Sequence, residues 1–207
     1  TYSYDRMGRL ATQADGNVVK TYTYFVDGTR KSVSLKRGGT EEIKLSYTYD
    51  GLNRLASVKD DLRNAVLANY TYDPNTGNRL SLRYPERNVQ VNYSYNDANL
   101  VTVVQNLQNG GEKSKFSYSY YLDGNQRTKT DNRANKEHFP LTTTYTYDRM
   151  SRLTGEVERN SKNELLGSWV YTYDRFSNRA TMGHTGTTGK ASTTAYTYHP
   201  NNWLLKE

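Results

Sequence analysis

One short element, Tyr-x-Tyr, occurs nine times in this chain of 207 residues and constrains its fold more than any other feature. The nine pairs hold 18 of the 20 tyrosines, and they begin at positions 2, 22, 47, 70, 93, 118, 145, 171 and 196. The spacing, about 24 residues on average, is typical of a repeat array. We therefore expect residues 1–207 to form a single array of nine repeats.

The residue between the two tyrosines is Ser or Thr in all nine copies. Successive side chains of a β-strand point to opposite faces, so each copy places two rings on one face and a hydroxyl on the other. Tyr and Thr both favour strands. The pattern predicts nine strands that carry the following pairs: Tyr2 and Tyr4, Tyr22 and Tyr24, Tyr47 and Tyr49, Tyr70 and Tyr72, Tyr93 and Tyr95, Tyr118 and Tyr120, Tyr145 and Tyr147, Tyr171 and Tyr173, Tyr196 and Tyr198.

A turn follows the pair. In the best copies an Asp comes next, then Gly, Asn or Ser three residues later, then Arg-Leu, which starts the next strand. An Asp carboxylate accepts bonds from nearby backbone N–H groups, and Gly or Asn tolerates positive φ. The Arg could pair with its Asp or lie on a tyrosine ring, and the Leu would pack beside the rings. The repeat positions are Asp5, Arg9, Leu10, Asp50, Arg54, Leu55, Asp73, Arg79, Leu80, Asp148, Arg152, Leu153, Asp174 and Arg179.

The rest of each repeat is a second turn of variable sequence, as at Asp15-Gly16 or Asn109-Gly110. Nine such repeats give about seventeen antiparallel strands, and no segment shows the 3.6-residue apolar period of a helix. Open sheets of more than about ten strands usually curl. The predicted fold is all-β: a repetitive antiparallel β-hairpin array that forms a curled, spiralling sheet.

The composition shows which residues must form the core. Leu, Ile, Val and Phe number only 36, so any core depends on the tyrosines, and we expect central rings such as Tyr72 and Tyr95 to be mostly buried. Tyr84 and Tyr121, outside the pairs, should be less buried.

The absence of Cys excludes disulfides and thiol catalysis. The net charge of +7 is dispersed, so we expect no nucleic-acid partner, and no apolar run predicts membrane insertion.

No motif predicts catalysis. His138, His184 and His199 stand alone, without a second ligand at metal-binding spacing. The Asp and Arg pairs recur, whereas a catalytic site is used once. We therefore predict that the chain is not an enzyme and has no catalytic, cofactor-binding or metal site.

The repeat resembles the YD repeat of the Rhs family, in which Tyr-Asp, a short turn with Gly and Arg-Leu precede a variable hairpin. The matching segments are Tyr4-Asp5 to Leu10, Tyr49-Asp50 to Leu55, Tyr72-Asp73 to Leu80 and Tyr147-Asp148 to Leu153. The copy at Tyr173-Asp174 runs to Arg179 but has Ala180 where Leu is expected. The copies after Tyr24 and Tyr120 place their Asp later. The resemblance covers essentially the whole chain.

The resemblance implies a function as well as a fold. Family members include toxin-complex subunits, bacterial polymorphic toxins, wall-associated proteins and teneurins, and their repeats form a spiralling β-shell. In the bacterial toxins the shell encloses a C-terminal toxic segment. The self-cleavage motif of such toxins has no match here, since Asp73-Pro74 lies inside a repeat turn. The resemblance thus implies a non-catalytic shell segment of a larger secreted or cell-surface protein.

Partners follow from the same reasoning. The neighbouring YD repeats of the parent chain and an enclosed polypeptide are the expected contacts. An alternative is a carbohydrate- or cell-surface-binding module, because regularly spaced rings can form a platform for glycans. The sequence starts inside a signature strand, and no signal segment opens it, so we expect a fragment. Its unpaired edge strands should cause edge-to-edge self-association, or else the two terminal repeats should fray.

Overall fold

The computed structural model describes residues 1–133 and 140–207. These residues form nineteen β-strands and one 3₁₀ turn, and they contain no α-helix. The strands are β1 (Tyr2–Tyr4), β2 (Leu10–Asp15), β3 (Val18–Tyr24), β4 (Arg30–Arg37), β5 (Thr40–Tyr49), β6 (Leu55–Asp60), β7 (Ala65–Tyr72), β8 (Arg79–Tyr84), β9 (Val89–Tyr95), β10 (Val101–Gln108), β11 (Gly111–Tyr120), β12 (Gln126–Arg133), β13 (Leu141–Tyr147), β14 (Leu153–Arg159), β15 (Leu165–Tyr173), β16 (Arg179–Gly186), β17 (Ala191–Ala195), β18 (Thr197–Tyr198) and β19 (Leu204–Lys206).

The chain divides into two compact units. The first comprises Thr1–Tyr93 and Leu107–Gly111, and in it each strand from β1 to β9 pairs antiparallel with the next one along the chain. The second comprises Ser94–Asn106 and Glu112–Glu207. There the strands from β11 to β17 pair in the same consecutive way, and β18 pairs with β19. The all-β antiparallel hairpin array predicted from the repeats is confirmed.

A β-bulge recurs in nearly every repeat, just before the second tyrosine. Ser3 pairs with Thr12, but Tyr4 pairs with Leu10, so Ala11 is the extra residue. The same shift precedes Tyr24, Tyr49, Tyr72, Tyr120, Tyr147, Tyr173 and Tyr198. A bulge bends its strand and increases the local right-handed twist. Twist is therefore added once per repeat, at the position that the Tyr pair defines.

The paired tyrosines are mostly covered by neighbouring strands but seldom fully buried. Tyr72 and Tyr95 are covered over most of their surface, as expected, and neither is fully buried. The buried residues among those described are Ala68, Tyr171, Asp131 and Gly167, and the first three are 5%, 8% and 8% exposed. A ring in a sheet is covered by its neighbours on either side, and its outer face stays open to solvent or to a cation. The described residues contain no helix that is long and apolar enough to cross a membrane.

Candidate functional site: the repeat turn

The turn after the second tyrosine is built by one carboxylate oxygen. Asp5 Oδ1 accepts the backbone N–H groups of Met7 and Arg9, both at 2.9 Å. Asp50 Oδ1 accepts those of Leu52 and Arg54 at 2.9 and 3.0 Å. The turn after Tyr147 repeats the arrangement with Asp148, Met150 and Arg152. The Asp of the motif thus organises the turn, which is the role that turn chemistry predicts.

The residue three positions after the Asp has a left-handed backbone. Its φ is +75° at Gly8, +58° at Asn53 and +58° at Ser151. Gly adopts this conformation without a steric cost, and Asn tolerates it better than other residues do. This requirement explains why Gly, Asn and Ser occupy the position in the sequence.

The arginine joins two successive repeats. Arg9 Nε donates to Asp5 Oδ2 at 2.7 Å, while its guanidinium carbon lies 4.6 Å from the centre of the Tyr24 ring. Arg9 Nη1 also donates to the carbonyl of Phe25, at 3.1 Å. The ion pair and the ring contact, which the sequence left as alternatives, therefore occur together. We call this set the Asp–Arg–Tyr contact.

The Asp–Arg–Tyr contact is present at three turns. Arg54 lies 2.7 Å from Asp50 and 4.6 Å above the Tyr72 ring. In the second unit, Arg152 lies 2.7 Å from Asp148 and 4.7 Å above the Tyr173 ring. Each guanidinium therefore holds the turn of its own repeat and the second tyrosine of the next one.

The hydroxyl of that second tyrosine reinforces the link. Tyr24 donates to the carbonyl of Leu10 at 2.9 Å, and Tyr173 donates to that of Leu153 at 2.6 Å. The hydroxyls of Tyr49, Tyr72 and Tyr120 donate in the same way to the carbonyls of Arg30, Leu55 and Val101. Each bond reaches the residue that begins the strand after the preceding turn, so it connects neighbouring repeats.

Two arginines of the motif lie one position later than their sequence alignment implies. Tyr72 pairs with Arg79, and Tyr173 pairs with Arg179, so both arginines take the strand position that Leu10 holds in the first repeat. Their guanidinium carbons lie 4.6 Å from the Tyr93 ring and 4.4 Å from the Tyr171 ring, the first rings of their pairs. Asn178 holds the position of Arg9, with its Nδ2 3.1 Å from Asp174 Oδ2.

Other residues substitute for the turn Asp. Asn96 Oδ1 accepts the backbone N–H groups of Ala98 and Leu100, at 3.1 and 2.9 Å. His199 Nδ1 accepts the N–H of Asn201 at 3.2 Å. In the longer turn, Asp73 Oδ1 accepts the N–H groups of Asn75 and Thr76. An acceptor at this position need not be a carboxylate, and the turns after Tyr24 and Tyr120 take theirs from Asp27 and Asp123 instead.

The remaining positions of the motif divide by burial. Leu10, Leu55 and Leu153 are half-buried, whereas Leu80 is exposed because it is the extra residue of its bulge. Tyr2 and Tyr4 in the short first strand are exposed. The other paired tyrosines, namely Tyr22, Tyr47, Tyr70, Tyr93, Tyr118, Tyr145, Tyr147, Tyr196 and Tyr198, are half-buried.

Sequence reasoning missed a set of hydroxyl pairs on the opposite face. The Ser or Thr between the two tyrosines bonds a hydroxyl on the next strand: Ser3 to Thr12 at 2.6 Å, Thr23 to Ser32 at 2.6 Å, Thr48 to Ser57 at 2.7 Å, Thr71 to Ser81 at 2.7 Å, Ser119 to Thr128 at 2.6 Å and Thr172 to Thr181 at 2.6 Å. Cross-strand hydroxyl pairs stabilise sheets. The signal was available, because the partner recurs eight or nine residues after the second tyrosine.

Hydrogen bonding and burial shift the pKa values of several Asp and Tyr side chains in the repeats. The N–H of Arg9 lowers the pKa of Asp5 below its ordinary value, and the N–H groups of Arg54 and Arg152 do the same for Asp50 and Asp148. Burial, together with the bond that its hydroxyl donates to Glu156 at 2.8 Å, raises the pKa of Tyr171 to about 12. At neutral pH the carboxylates are charged and this phenol is neutral, as their contacts require.

The geometry offers bonds between repeats rather than reactive groups. Among the described residues, no three His, Cys, Asp or Glu side chains are grouped as a metal site would need. His184 stacks on Trp169 at 4.8 Å and His199 on Trp203 at 5.5 Å, while His138 lies outside the described residues. The arrangement is suited to holding strands in register.

Solved structures share this fold. The chain aligns over 99% of its length with 12% of a chain in the crystal structure of TcdB2–TccC3–Cdc42, with a TM-score of 0.79 and 16% identity. The crystal structure of TcdB2–TccC3 gives a TM-score of 0.78 at 16% identity, with the same coverage of both chains. The Photorhabdus luminescens Tc holotoxin pore with a mutated TccC3 gives 0.56 at 19% identity, covering 99% of this chain and 10% of that one.

These matches bear on the fold alone, because the identities are low and the chain spans about an eighth of the chains it matches. No protein-family profile matches the sequence, and no curated protein matches it significantly. The TcdB2–TccC3 toxin complex has a shell built of Rhs/YD repeats. The resemblance read from the Tyr-Asp motif is thus confirmed in three dimensions: the chain has the Rhs/YD-repeat fold.

Proposed function

We propose that this chain is a non-catalytic structural segment of an Rhs/YD-repeat shell in a secreted or cell-surface protein. In the parent protein, the shell helps to enclose or carry a C-terminal segment. The observation that carries the proposal is the Asp–Arg–Tyr contact, which occurs at Arg9, Arg54 and Arg152. A contact made in several repeats and always directed at the next repeat serves to extend a wall.

The contacts of the tyrosine rings support a structural role. Guanidinium groups lie over the rings of Tyr24, Tyr72, Tyr93, Tyr171 and Tyr173. A ring face covered by a cation of the same chain is not free to stack on a ligand. The partners of the array in this proposal are accordingly neighbouring YD repeats and the polypeptide that the wall encloses, and residues 1–207 act as one array.

Cryo-electron microscopy of the longest natural polypeptide that contains these repeats tests the proposal. We expect a closed β-walled chamber, with residues 1–207 in its wall and additional density inside. Limited proteolysis of the same sample should cleave the enclosed segment only after the wall is denatured. An extended array with an empty or open interior, and a downstream segment cleaved at once, would contradict a shell.

Carbohydrate binding is the second candidate, and one observation favours it. The Trp203 ring is 66% exposed and stacks on His199, which holds it in a fixed orientation. Exposed, rigid indoles can serve as platforms for sugar rings. Pull-down with bacterial cell-wall polysaccharide, comparing the parent chain with Trp203→Ala, tests this function. Binding lost in the variant would support it, whereas no binding by the parent chain would remove it.

A further inference from the structure

The first unit contains a cavity that no repeat contact explains. Its volume is about 620 Å³, and its walls include Val58, Leu67, Ala68, Tyr70, Tyr84 and Val89. This volume lies within the range of roughly 300–1,000 Å³ that small-molecule sites occupy, and such sites are mostly apolar with a few polar groups. The cavity combines these features.

An unusual hairpin connection builds one side of the cavity. Between β8 and β9 the chain forms a 3₁₀ turn, Pro85–Arg87, which packs against β7. Asn88 ends the turn in the left-handed conformation and donates its N–H to the Pro85 carbonyl at 3.1 Å. The Asn88 carbonyl accepts the N–H of Asn109 at 2.8 Å. The proline, the left-handed residue and the bond to Asn109 make this wall rigid, so the cavity is formed in advance.

Part of the lining is apolar, formed by Val58, Leu67, Ala68 and Val89, and two phenols lie among these residues. Ala68 is the most buried of them, at 5% exposure. Within the part of the chain that the structure describes, the Tyr70 and Tyr84 hydroxyls make no hydrogen bond to another residue. Both are therefore available as donors to a ligand in the cavity.

The charges around the cavity leave one cation uncompensated. Arg63 donates to Asp60 at 2.6 Å, and Glu86 interacts electrostatically with the same guanidinium. Arg87 also lines the cavity, and it has neither an ion pair nor a hydrogen bond with any described residue. An arginine with a free guanidinium presents parallel N–H donors that match a carboxylate.

We infer that this cavity is a binding site for a small amphiphilic carboxylate. The apolar body of the ligand lies over Ala68 between Leu67, Val58 and Val89. Its carboxylate pairs with Arg87. The phenol hydroxyls of Tyr70 and Tyr84 supply further donors.

The test uses 4-phenylbutyrate as the probe and 4-phenylbutanol as its uncharged match. Methyl-labelled full-length chain is titrated with each compound and followed by NMR at the Val58, Leu67 and Val89 methyl groups. We expect saturable shifts at these methyls with 4-phenylbutyrate. The alcohol should bind about tenfold more weakly, a difference of about 1.4 kcal/mol.

Two arginine variants separate the site from general attraction to a basic protein. Arg87→Gln should weaken 4-phenylbutyrate about tenfold and leave the alcohol unchanged. Arg6→Gln, which removes an exposed arginine of a repeat turn, should change neither. Ala68→Val, with its fold verified by circular dichroism, should weaken both compounds because it narrows the cavity.

Three results would each overturn the inference. The first is the absence of saturable shifts at the three methyl groups, including the case in which shifts occur only elsewhere. The second is equal affinity for the acid and the alcohol. The third is an equal effect of Arg87→Gln and Arg6→Gln.

Discussion

The two ends of the hairpins follow different rules. At the end that holds the Tyr-Asp motif, all nine turns contain a left-handed residue, and in eight of them it lies four positions after the second tyrosine; the longer turn at Gly77 has it one position later. These residues are Gly8, Gly28, Asn53, Gly77, Asn99, Gly124, Ser151, Ser177 and Asn202. At the opposite end the described connections range from the tight turn at Gly16 to the 3₁₀ turn at Pro85–Arg87. The turns at the first end are therefore alike, whereas those at the opposite end vary. We call the first end, which holds the Tyr-Asp turns, the standardised end.

The difference lies in what each end contacts. An arginine of a Tyr-Asp turn bonds its own Asp and covers a ring of the next repeat, as Arg152 does with Asp148 and Tyr173. At the opposite end, Arg63 pairs with Asp60 within its own hairpin, and its side chain is 62% exposed. Side-chain bonds between repeats restrict the sequence, whereas turns that reach a neighbouring hairpin through backbone atoms, as Asn88 does with Asn109, are free to vary. This freedom permits a local feature such as the cavity at Tyr84.

Acid should have the largest effect on the standardised end, because it acts on many turns together. The folded-state pKa of Asp5, Asp50 and Asp148 lies below the unfolded value, which is about 3.9. The folded state thus binds fewer protons, and stability that is present above this pH is lost as pH falls through the folded pKa values. We expect the urea midpoint to be steady from pH 7 to about pH 5 and to fall below about pH 4.

The variant Asp5→Asn/Asp50→Asn/Asp148→Asn sharpens this test. Asn keeps the turn acceptor, as Asn96 does naturally, but it carries no charge. The variant should have a lower urea midpoint than the parent chain at pH 7. Its midpoint should also fall less steeply between pH 5 and pH 3. If its acid dependence matches that of the parent chain, the turn carboxylates do not set acid stability.

A pair of arginine substitutions compares the two ends directly. Arg152→Ala should lower the free energy of unfolding by about 1–2 kcal/mol, because the ring contact and the packing of the side chain stem are lost with the ion pair. Arg63→Ala removes an ion pair of similar length in which the arginine is 62% exposed and Asp60 keeps its backbone hydrogen bonds, so it should lower the free energy clearly less than Arg152→Ala does. Urea unfolding of both variants measures the difference. Equal losses would mean that contacts between repeats add nothing to the local pair.

A smaller effect on stability is expected when Ala replaces a left-handed glycine of the standardised end, and a second glycine in an equivalent turn serves as the control. Gly8 has a φ of +75°, and a methyl group there would be strained, so Gly8→Ala should cost about 1 kcal/mol. Gly51 lies in an equivalent turn without positive φ, and an added Cβ would meet no atom within 4 Å. Gly51→Ala should leave stability unchanged or slightly raised. Thermal unfolding distinguishes the two, and a similar loss in both would rule out backbone strain as the reason for Gly8.

The sequence was most informative where a local rule repeats. The Tyr-x-Tyr spacing gave the strands, and the Asp with a later Gly or Asn gave the turn, because both depend on neighbours within seven residues. The positions of Arg79 and Arg179 in their strands were harder to predict from the sequence. Their shift depends on turn length and on the bulge register of the partner strand, which a motif read along the chain does not contain.

Burial was the other quantity that the sequence did not give. Tyr72 and Tyr171 occupy the same kind of strand, yet only Tyr171 is buried. Its environment includes Glu156 from the preceding strand and Arg179 from the following one. The cavity beside Tyr84 also depends on how a variable turn packs on β7. Such contacts arise from three-dimensional packing that no repeat position specifies.

The central claim is that arginines of the repeat turns hold neighbouring repeats together, and a double-mutant cycle on Arg152 and Tyr173 tests it most directly. The cycle measures unfolding free energies for Arg152→Ala, Tyr173→Leu and the double variant. Lys162→Ala with Tyr173→Leu serves as the control pair and should be additive. We predict a coupling of about 0.5–1 kcal/mol for Arg152 with Tyr173, the range of an exposed cation–π contact. A coupling indistinguishable from zero, or from that of the control pair, would contradict the claim.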